Sequence, residues 1–101
     1  MQKIFGGSAA VDMKALIADG AKLIDVRTPE EFAQGYADGA VNIPLQDLQR
    51  HLPKLKQLGV PVVAYCRSGN RSGIAAQILK SSGIEAYNAG SLGQVNAMMR
   101  G

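Results

Sequence analysis

The residue types best suited to covalent chemistry lie together in one short segment of the chain. In order, the segment contains Cys66, Arg67, Ser68, Gly69, Asn70, Arg71, Ser72 and Gly73. Gly69 and Asn70 tolerate positive φ, so the backbone can turn tightly there and direct several N–H groups at one centre. Where a helix follows such a turn, the positive end of its dipole adds to these donors. The segment therefore predicts an anion-binding loop.

Cys66, the only cysteine of the chain, is the candidate nucleophile of this loop. A helix N-terminus and nearby arginines lower the pKa of a thiol, so we expect a substantial thiolate fraction at neutral pH. The same donors would stabilise negative charge on any group attached to the sulfur. The alternative interpretation is that Cys66 is a small buried hydrophobic residue, as free cysteines often are.

The sequence offers no general base next to this cysteine. His51 is the only histidine, and it lies in a leucine-rich helical segment beside Arg50, where we expect a solvated side chain. A thiolate that attacks sulfur or phosphorus needs no base, whereas attack on an amide usually does. The sequence therefore favours sulfur or phosphoryl transfer over amide hydrolysis. No Gly-Lys-Ser/Thr follows the loop, which excludes a Walker phosphate loop.

Short apolar runs alternate with helical patterns along the chain and place the loop between a strand and a helix. The predicted strands are Lys22–Val26, Ala40–Ile43, Val60–Tyr65 and Glu85–Asn88. Strands that alternate with helices predict a parallel sheet covered on both faces. Ligands of such sheets bind beyond the carboxyl ends of the strands, which is where the segment after Tyr65 lies.

Two helical segments carry specific signals at the level of single residues. Thr28 is a predicted N-cap, Pro29 stands at the first helical position, and Glu31 is placed to complete a capping box. Leucines repeat at helical spacing over residues 45–55, but Pro53 lies among them, so we expect that helix to break or restart there.

Length and composition narrow the class of protein. The chain has 101 residues, of which 47% are hydrophobic, and a formal net charge of +3. We expect a single domain over residues 1–101, without a disulfide framework or a structural zinc site, because one cysteine and one histidine are too few. Scattered basic residues argue against nucleic acid, and no apolar run suits a membrane span. Residues 1–8 lack the pattern of a secretory signal. We expect a cytoplasmic monomer with a reduced thiol.

Several motifs occur in an order and spacing typical of one family. They are Leu23–Arg27, Pro29–Phe32, Gly39–Leu45 and Tyr65–Ser72. Together they resemble the single-domain rhodaneses, and the segment Asn88–Leu92 resembles the small phage-shock type of thiosulfate sulfurtransferase. The resemblance implies an α/β fold with a central parallel five-stranded sheet flanked by helices on both faces. It also implies that Cys66 is the sulfur-accepting nucleophile.

The resemblance predicts transfer of the outer sulfur of thiosulfate, through a persulfide on Cys66, to a thiophilic acceptor. The acceptor would be cyanide, a small thiol or an acceptor protein, and we expect no cofactor and no metal. The loop would bind the substrate anion, and either arginine could orient it. The predicted substrate-binding residues are Arg67, Ser68, Gly69, Asn70, Arg71 and Ser72.

Two other functions stay open. One is a persulfide carrier or interaction module with little turnover on thiosulfate. The other, less favoured, is a small cysteine-dependent phosphatase or arsenate reductase. Relatives that handle phosphate place five residues between the cysteine and the arginine, whereas Arg71 comes one residue earlier here. Tyr65 also stands where tyrosine phosphatases have a histidine.

Asp25 and Arg27 flank the end of a predicted strand and are candidate supporting residues. They could bind substrate, but we favour an ion pair that braces the neighbouring loops. The sequence departs from the family in two places. Residues 36–38 read Tyr-Ala-Asp where many relatives carry His-Ile-Pro, and the common C-terminal Trp is absent. Both departures lie outside the loop and bear on packing more than on chemistry.

Overall fold

The structure of the protein, a computed structural model, describes residues 11–101. Residues 1–10, which include the segment predicted not to be a secretory signal, lie outside the described residues. The helices are α1 (Met13–Ala18), α2 (Pro29–Ala33), α3 (Leu48–Leu58), α4 (Asn70–Ser81) and α5 (Leu92–Arg100). The strands are β1 (Lys22–Asp25), β2 (Val41–Asn42), β3 (Val62–Cys66) and β4 (Ala86–Ser91). A short 3₁₀ turn, Leu45–Asp47, leads into α3.

The four strands form one parallel sheet in the order β2-β1-β3-β4. Strand β3 is buried along its whole length, as expected for a central strand of a parallel sheet with both faces covered. Its register with β4 shifts between Ala64 and Cys66, which brings Cys66 level with Ser91. The irregularity coincides with the end of the strand, where the cysteine loop begins.

The expectation of a five-stranded sheet is wrong for the described residues, which contain four strands. The four apolar runs in the sequence correspond to the four strands, and the fifth strand was implied by the family resemblance alone. The other strongly apolar stretches between residues 11 and 101 show helical spacing and form helices instead. The predicted parallel α/β fold with helices on both faces is confirmed.

Two apolar layers cover the sheet. One contains Ile24, Val62 and Ala64 of the sheet with Leu48, Leu55, Ala75 and Leu79 of α3 and α4. The other contains Leu23, Val63 and Tyr65 with Val95 of α5 and partly buried side chains of α1. Successive strand residues point to opposite faces, so Cys66 faces the α3–α4 layer and Tyr65 faces the α1–α5 layer. Each fully buried Leu, Ile or Val contributes roughly 1.5–3 kcal/mol, so these layers hold the strand ends firmly in place.

Helix α3 does not break at Pro53, contrary to the sequence-based expectation. Its residues run from Leu48 to Leu58 with Pro53 inside. Proline removes one backbone donor, and the carbonyl it leaves without an intrahelical partner belongs to Gln49. Both residues are exposed, so water can hydrate that carbonyl, while Leu48 and Leu55 keep the opposite side of the helix buried. No helix within residues 11–101 has the length and apolar character needed to cross a membrane.

Candidate active site

The cysteine loop joins the buried end of β3 to the N-terminus of α4. Gly69, at the N-cap of α4, has φ +96°, a conformation that disfavours any residue with a Cβ. The predicted left-handed turn is therefore confirmed at Gly69. Asn70, the first residue of α4, does not adopt the positive φ that asparagine tolerates, since among the described residues only glycines have positive φ.

Three donors converge on the sulfur of Cys66. The backbone N–H of Gly69 lies 3.0 Å from Sγ, and that of Ser72 lies 3.4 Å from it. The Ser72 hydroxyl is the third, at 3.3 Å. Cys66 itself has no exposed surface and packs on its other side against the α3–α4 apolar layer. Both interpretations of this cysteine thus hold in part, since it is a core residue whose sulfur is also surrounded by donors.

The pKa of the Cys66 thiol is lowered, although its causes act in opposite directions. Burial is the largest of them and raises the pKa, because the thiolate loses its hydration. Hydrogen bonds from the Ser72 side chain and from the backbone of Ser72, Ser68 and Gly69 lower it, and together they outweigh burial. The arrangement therefore favours a charged sulfur in a water-poor setting, which suits a nucleophile or a leaving group.

The two arginines of the loop have different surroundings. Arg71 is paired with Glu31 of α2 through two contacts, 2.7 Å from Nη1 to Oε1 and 3.0 Å from Nη2 to Oε2. Arg67 is exposed, and the salt bridges found within residues 11–101 do not include it. The positive charge of Arg71 is thus largely neutralised, and Arg67 is the loop cation available to a solvent-borne anion.

Glu31 serves two partners at once. Its carboxylate also accepts a hydrogen bond from the backbone N–H of Thr28 at 2.9 Å, which completes the predicted capping box of α2. The hydrogen bond from Arg71 is the main reason that the pKa of Glu31 falls to about 2. A surface cavity of about 260 Å³ opens beside this ion pair, lined by Val26, Thr28, Pro44, Leu45, Gln46 and Arg71.

The predicted ion pair between Asp25 and Arg27 is confirmed. The Arg27 Nη2 atom lies 2.6 Å from Asp25 Oδ2, both residues are buried, and the guanidinium also donates to the carbonyl of Gly35. The hydrogen bond to Asp25 raises the pKa of Arg27 above its ordinary value. The guanidinium lies 5.8 Å from the ring centre of Tyr65, the residue before the cysteine. The pair therefore braces the carboxyl edge of the sheet next to the cysteine loop.

Asn88 of β4 is a site residue that the sequence analysis did not single out. Its Nδ2 donates to the carbonyl of Gly69 at 3.0 Å, and its Oδ1 accepts from the Ser72 hydroxyl at 2.7 Å. Asn88 entered the sequence-based predictions only as the last residue of the strand Glu85–Asn88 and the first of the motif Asn88–Leu92. Nothing in the order of residues indicated that it would reach across to the loop.

The predicted substrate-binding residues occupy three kinds of position, one of which is that of Arg71 in its ion pair with Glu31. Gly69 and Ser72 provide the donors within hydrogen-bond distance of the sulfur, and the backbone of Ser68 helps to lower the pKa of the thiol. Arg67 and Asn70 are exposed near the loop surface, and Asn70 N–H lies 3.5 Å from Ser68 Oγ instead of pointing at the sulfur.

Comparison with known sequences agrees with this geometry. A family model for the rhodanese-like domain matches residues 9–94. Thiosulfate sulfurtransferase PspE of Escherichia coli (strain K12) is 38% identical over 71 residues, which cover 68% of this chain and 68% of that protein. The uncharacterized protein YqhL of Bacillus subtilis (strain 168) is 46% identical over 69 residues, which cover 67% of this chain and 54% of that protein. The chain thus spans about half of the length of the Bacillus relative.

Solved structures of small proteins share the fold. The human single-domain sulfurtransferase TSTD1 matches with a TM-score of 0.66 at 30% identity, covering 85% of this chain and 90% of that one. A rhodanese with anions from E. coli matches with a TM-score of 0.66 at 34% identity, covering 74% of this chain and 91% of that one. The family model matches most of the chain, and the parallel sheet with the cysteine loop at its carboxyl edge is consistent with that match. The chain belongs to the rhodanese-like domain family.

Proposed function

We propose that this protein is a sulfurtransferase that moves the outer sulfur of thiosulfate to a thiophilic acceptor through a persulfide on Cys66. The observation that carries the proposal is the convergence of two backbone N–H groups and one hydroxyl on the sulfur of the only cysteine. Such donors stabilise negative charge on the sulfur in water-poor surroundings. The name of the E. coli relative PspE, a thiosulfate sulfurtransferase, supports the choice of donor.

In the first step, the Cys66 thiolate attacks the outer sulfur of thiosulfate. A bond forms between Sγ and that sulfur while the sulfur–sulfur bond of thiosulfate breaks, and its electron pair leaves with sulfite. One thiolate and one dianion become one persulfide anion and one sulfite dianion, so charge and atoms balance. No proton moves, which fits a site whose cysteine pKa is lowered by hydrogen bonds.

Arg67 attracts and orients the incoming dianion. It is exposed at the rim of the loop, whereas Arg71 is already paired with Glu31. Because Cys66 has no exposed surface in the resting protein, the surroundings of its sulfur must open to admit the substrate sulfur. We therefore expect loading to be far slower than diffusional encounter.

In the second step, a nucleophilic acceptor attacks the outer sulfur of the persulfide. Cyanide would leave as thiocyanate, and a thiolate would leave as its own persulfide. In both cases the Cys66 thiolate departs as the leaving group, and the donors around Sγ stabilise it. Substituted-enzyme kinetics follow from the separation of the two steps. We propose that the acceptor is a small molecule or a protein thiol. We also propose that the protein works as a monomer in the reducing cytoplasm.

Phosphoryl transfer fits this site less well. A phosphatase of this kind needs its loop arginine to bind the equatorial oxygens of the phosphoryl group. Arg71 instead points its guanidinium at the Glu31 carboxylate, 2.7 Å away. The loop is also one residue shorter than in relatives that handle phosphate, which suits a single sulfur atom better than a phosphoryl group.

Mass measurement of the intact protein after treatment with thiosulfate tests the proposal. We expect the mass of one added sulfur in the wild type, its loss on addition of cyanide, and no added sulfur in Cys66→Ser. Wild-type protein that gains no sulfur, or a Cys66→Ser variant that gains as much, would overturn it. Multiple turnovers with thiosulfate and cyanide support an enzyme, whereas stoichiometric loading without turnover indicates the carrier. Hydrolysis of an aryl phosphate would indicate the phosphatase.

A further inference from the structure

Asn88 holds three groups of the cysteine loop and its own strand in a fixed arrangement. Its Nδ2 donates to the Gly69 carbonyl at 3.0 Å, and its Oδ1 accepts from Gly90 N–H at 2.9 Å and from the Ser72 hydroxyl at 2.7 Å. These partners fix the orientation of the amide, because a flipped amide would place a donor against Gly90 N–H and an acceptor against a carbonyl. The amide oxygen therefore faces Ser72.

The Ser72 hydroxyl lies between two acceptors but has only one proton. Asn88 Oδ1 is 2.7 Å from Ser72 Oγ, and Cys66 Sγ is 3.3 Å from it. Ser72 has no exposed surface, so water does not supply a further partner. A neutral sulfur is a weak hydrogen-bond acceptor and a thiolate is a strong one. The charge on the sulfur therefore decides which of the two acceptors takes the hydrogen bond from the Ser72 hydroxyl.

We propose that Asn88 is a positioning residue that acts on Cys66 through Ser72. While the sulfur of Cys66 is neutral, the Ser72 hydroxyl donates to Asn88, and when the sulfur is charged the hydroxyl rotates and donates to the sulfur. Asn88 thus gives the Ser72 hydroxyl an alternative acceptor whenever Cys66 Sγ is uncharged, either as a thiol or as the inner sulfur of the persulfide.

The inference rests on the proposed function, in which charge leaves and returns to Sγ. When Cys66 is loaded with sulfur, the negative charge moves from Sγ to the outer sulfur. The Ser72 hydroxyl then rotates back and donates its hydrogen bond to Asn88. Discharge brings the charge back to Sγ, and the hydroxyl follows it and stabilises the departing thiolate. Loss of the Ser72 hydroxyl therefore slows discharge more than loading, because a more basic thiolate is a poorer leaving group but a better nucleophile.

The packing of α4 against β4 makes room for Asn88. A Cβ at Gly73 would lie 3.3 Å from Asn88 Nδ2, and one at Gly69 would lie 3.4 Å from the Cα of Gly90. Gly69 at the N-cap of α4 and Gly73 inside the helix thus allow β4 to approach α4 closely enough for an amide to reach Ser72. Asn88 is itself exposed, and its proximity to Ser72 follows from these backbone positions and not from burial of its side chain.

The charged groups near the cysteine loop form two ion pairs and include one cation of the loop itself that is unpaired among the described residues. Asp25 and Arg27 lie at the end of β1, Glu31 of α2 holds Arg71 of α4, and Arg67 is exposed in the loop. Asn88 and Ser72 are neutral, so substitutions at these two positions leave the set of charges unchanged.

A double-mutant cycle on the thiolate tests the inference. The Cys66 titration is followed by the ultraviolet absorbance of the thiolate, and separately by the pH dependence of its alkylation, in wild type, Ser72→Ala, Asn88→Ala and the double variant. We expect Ser72→Ala to raise the pKa of Cys66, because one donor is lost. We expect Asn88→Ala to lower it by up to about one unit, because the hydroxyl loses its competing acceptor.

In the Ser72→Ala background, Asn88→Ala should no longer lower the Cys66 pKa, because its effect passes through the hydroxyl. If Asn88→Ala shifts the Cys66 pKa equally with and without Ser72, or shifts it in neither case, Asn88 only braces the loop. If Asn88→Ala raises the Cys66 pKa while Ser72 is present, Asn88 does not compete with the sulfur for the hydrogen bond of the hydroxyl. Either result overturns the inference. Ser81→Ala and Asn96→Ala, the same changes at the far end of α4 and on α5, are matched controls, and circular dichroism checks folding.

The titration uses no sulfur donor, so it separates this inference from the proposed function. Wild-type protein that gains no sulfur from thiosulfate would remove the proposed function while the coupling of Asn88 to Ser72 is still measured. Conversely, a normal sulfur transfer with additive titration shifts would overturn the inference alone. Where transfer occurs, the ratio of discharge to loading rates should fall severalfold in Ser72→Ala and recover in Ser72→Thr, which keeps the hydroxyl.

Discussion

At Cys66, burial and hydrogen bonding oppose each other on a single atom. An unpaired thiolate in this position would be costly, because the residue has no exposed surface. Hydrogen bonds to a charged group contribute about 1.5–3 kcal/mol each, so three donors are enough to offset such a penalty. The donors at 3.0, 3.3 and 3.4 Å therefore explain why the pKa of the thiol is lowered in spite of burial.

The different surroundings of the two loop arginines lead to a prediction at the same scale. Arg67→Ala should raise KM for thiosulfate about three- to tenfold with little change in kcat, because an exposed cation contributes about 1 kcal/mol to capture of an anion. The effect should shrink at high salt, where exposed charges are screened. Initial rates at varied thiosulfate and ionic strength measure it.

Arg71→Ala is the comparison for that experiment. Because Arg71 is held by Glu31, its loss should lower kcat and stability through the loop instead of raising KM alone. A rise in KM confined to Arg71→Ala, with Arg67→Ala unchanged, would show that the ion pair opens on binding and that the assignment of the two arginines is wrong.

Contiguous residues could be predicted from the sequence, and contacts between distant ones could not. Cys66 and the turn at Gly69 follow from residue types within one loop, and the pair Asp25–Arg27 from two neighbouring positions. Glu31 and Arg71 are 40 positions apart, and Asn88 is 16 positions from Ser72. Which glutamate or asparagine meets the loop depends on how α2 and β4 are placed, and no local pattern encodes that.

At the scale of elements, the Glu31–Arg71 pair joins the first turns of two helices. Glu31 completes the capping box of α2, and Arg71 is the second residue of α4. A single carboxylate therefore links the N-terminus of α2 to the helix that begins at the cysteine loop. The pair is partly exposed, with side-chain exposures of 34% and 25%, so we assign it the modest value of a partly solvated pair.

Glu31→Gln should lower the free energy of unfolding by roughly 0.5–1 kcal/mol at neutral pH. The folded-state pKa is depressed to about 2 from its ordinary 4.5. Its contribution is therefore present above about 4.5 and is lost as the pH falls towards 2. Urea unfolding at a series of pH values should show the wild-type advantage vanishing in that window. A difference that stays constant down to pH 2 would contradict the prediction, and Glu30→Gln on the same turn is the control.

Helices and strands were predicted correctly where local residue chemistry determines them. The predictions were wrong where tertiary packing or the family resemblance alone determined them. The capping box at Thr28 and the positions of the strands follow from side-chain type and apolar runs. Helix α3 runs through Pro53 because its buried leucines outweigh one missing backbone bond on the exposed side. The fifth strand came from the resemblance and has no apolar run of its own between residues 11 and 101.

For the molecule as a whole, the strand order explains why the site lies where it does. In the sheet, β2 lies on one side of β1, whereas β3 and β4 lie on the other side of it. The connections therefore diverge at the carboxyl ends of β1 and β3, which leaves a crevice there. Asp25 ends β1 and Cys66 ends β3, so the bracing ion pair and the cysteine lie side by side at this point. Sequence alone predicted the edge of the sheet but not the strand order.

Tyr65 ties this crevice to the rest of the fold and supports a prediction about global stability. Its ring is buried beside Cys66 in β3, and its hydroxyl oxygen accepts a hydrogen bond from the backbone N–H of Ala37 at 3.0 Å. Burial is the main reason that the pKa of Tyr65 rises from 10.0 to about 12. The folded state thus resists deprotonation, so this contribution is complete below about 10 and is lost as the pH rises towards 12.

Tyr65→Phe should cost about 1–3 kcal/mol at neutral pH, because the buried N–H of Ala37 loses its acceptor. Between pH 10 and 12 the wild type should lose stability faster than Tyr65→Phe, since only the wild type has this phenol to deprotonate. The other side chains are the same in both proteins, so their contributions cancel in the difference of the two unfolding free energies. Tyr36→Phe, at a tyrosine that is 52% exposed, is the control and should change the unfolding free energy much less than Tyr65→Phe at neutral pH. If the gap between wild type and Tyr65→Phe stayed constant from pH 10 to 12, the buried phenol would not be a determinant of alkaline stability.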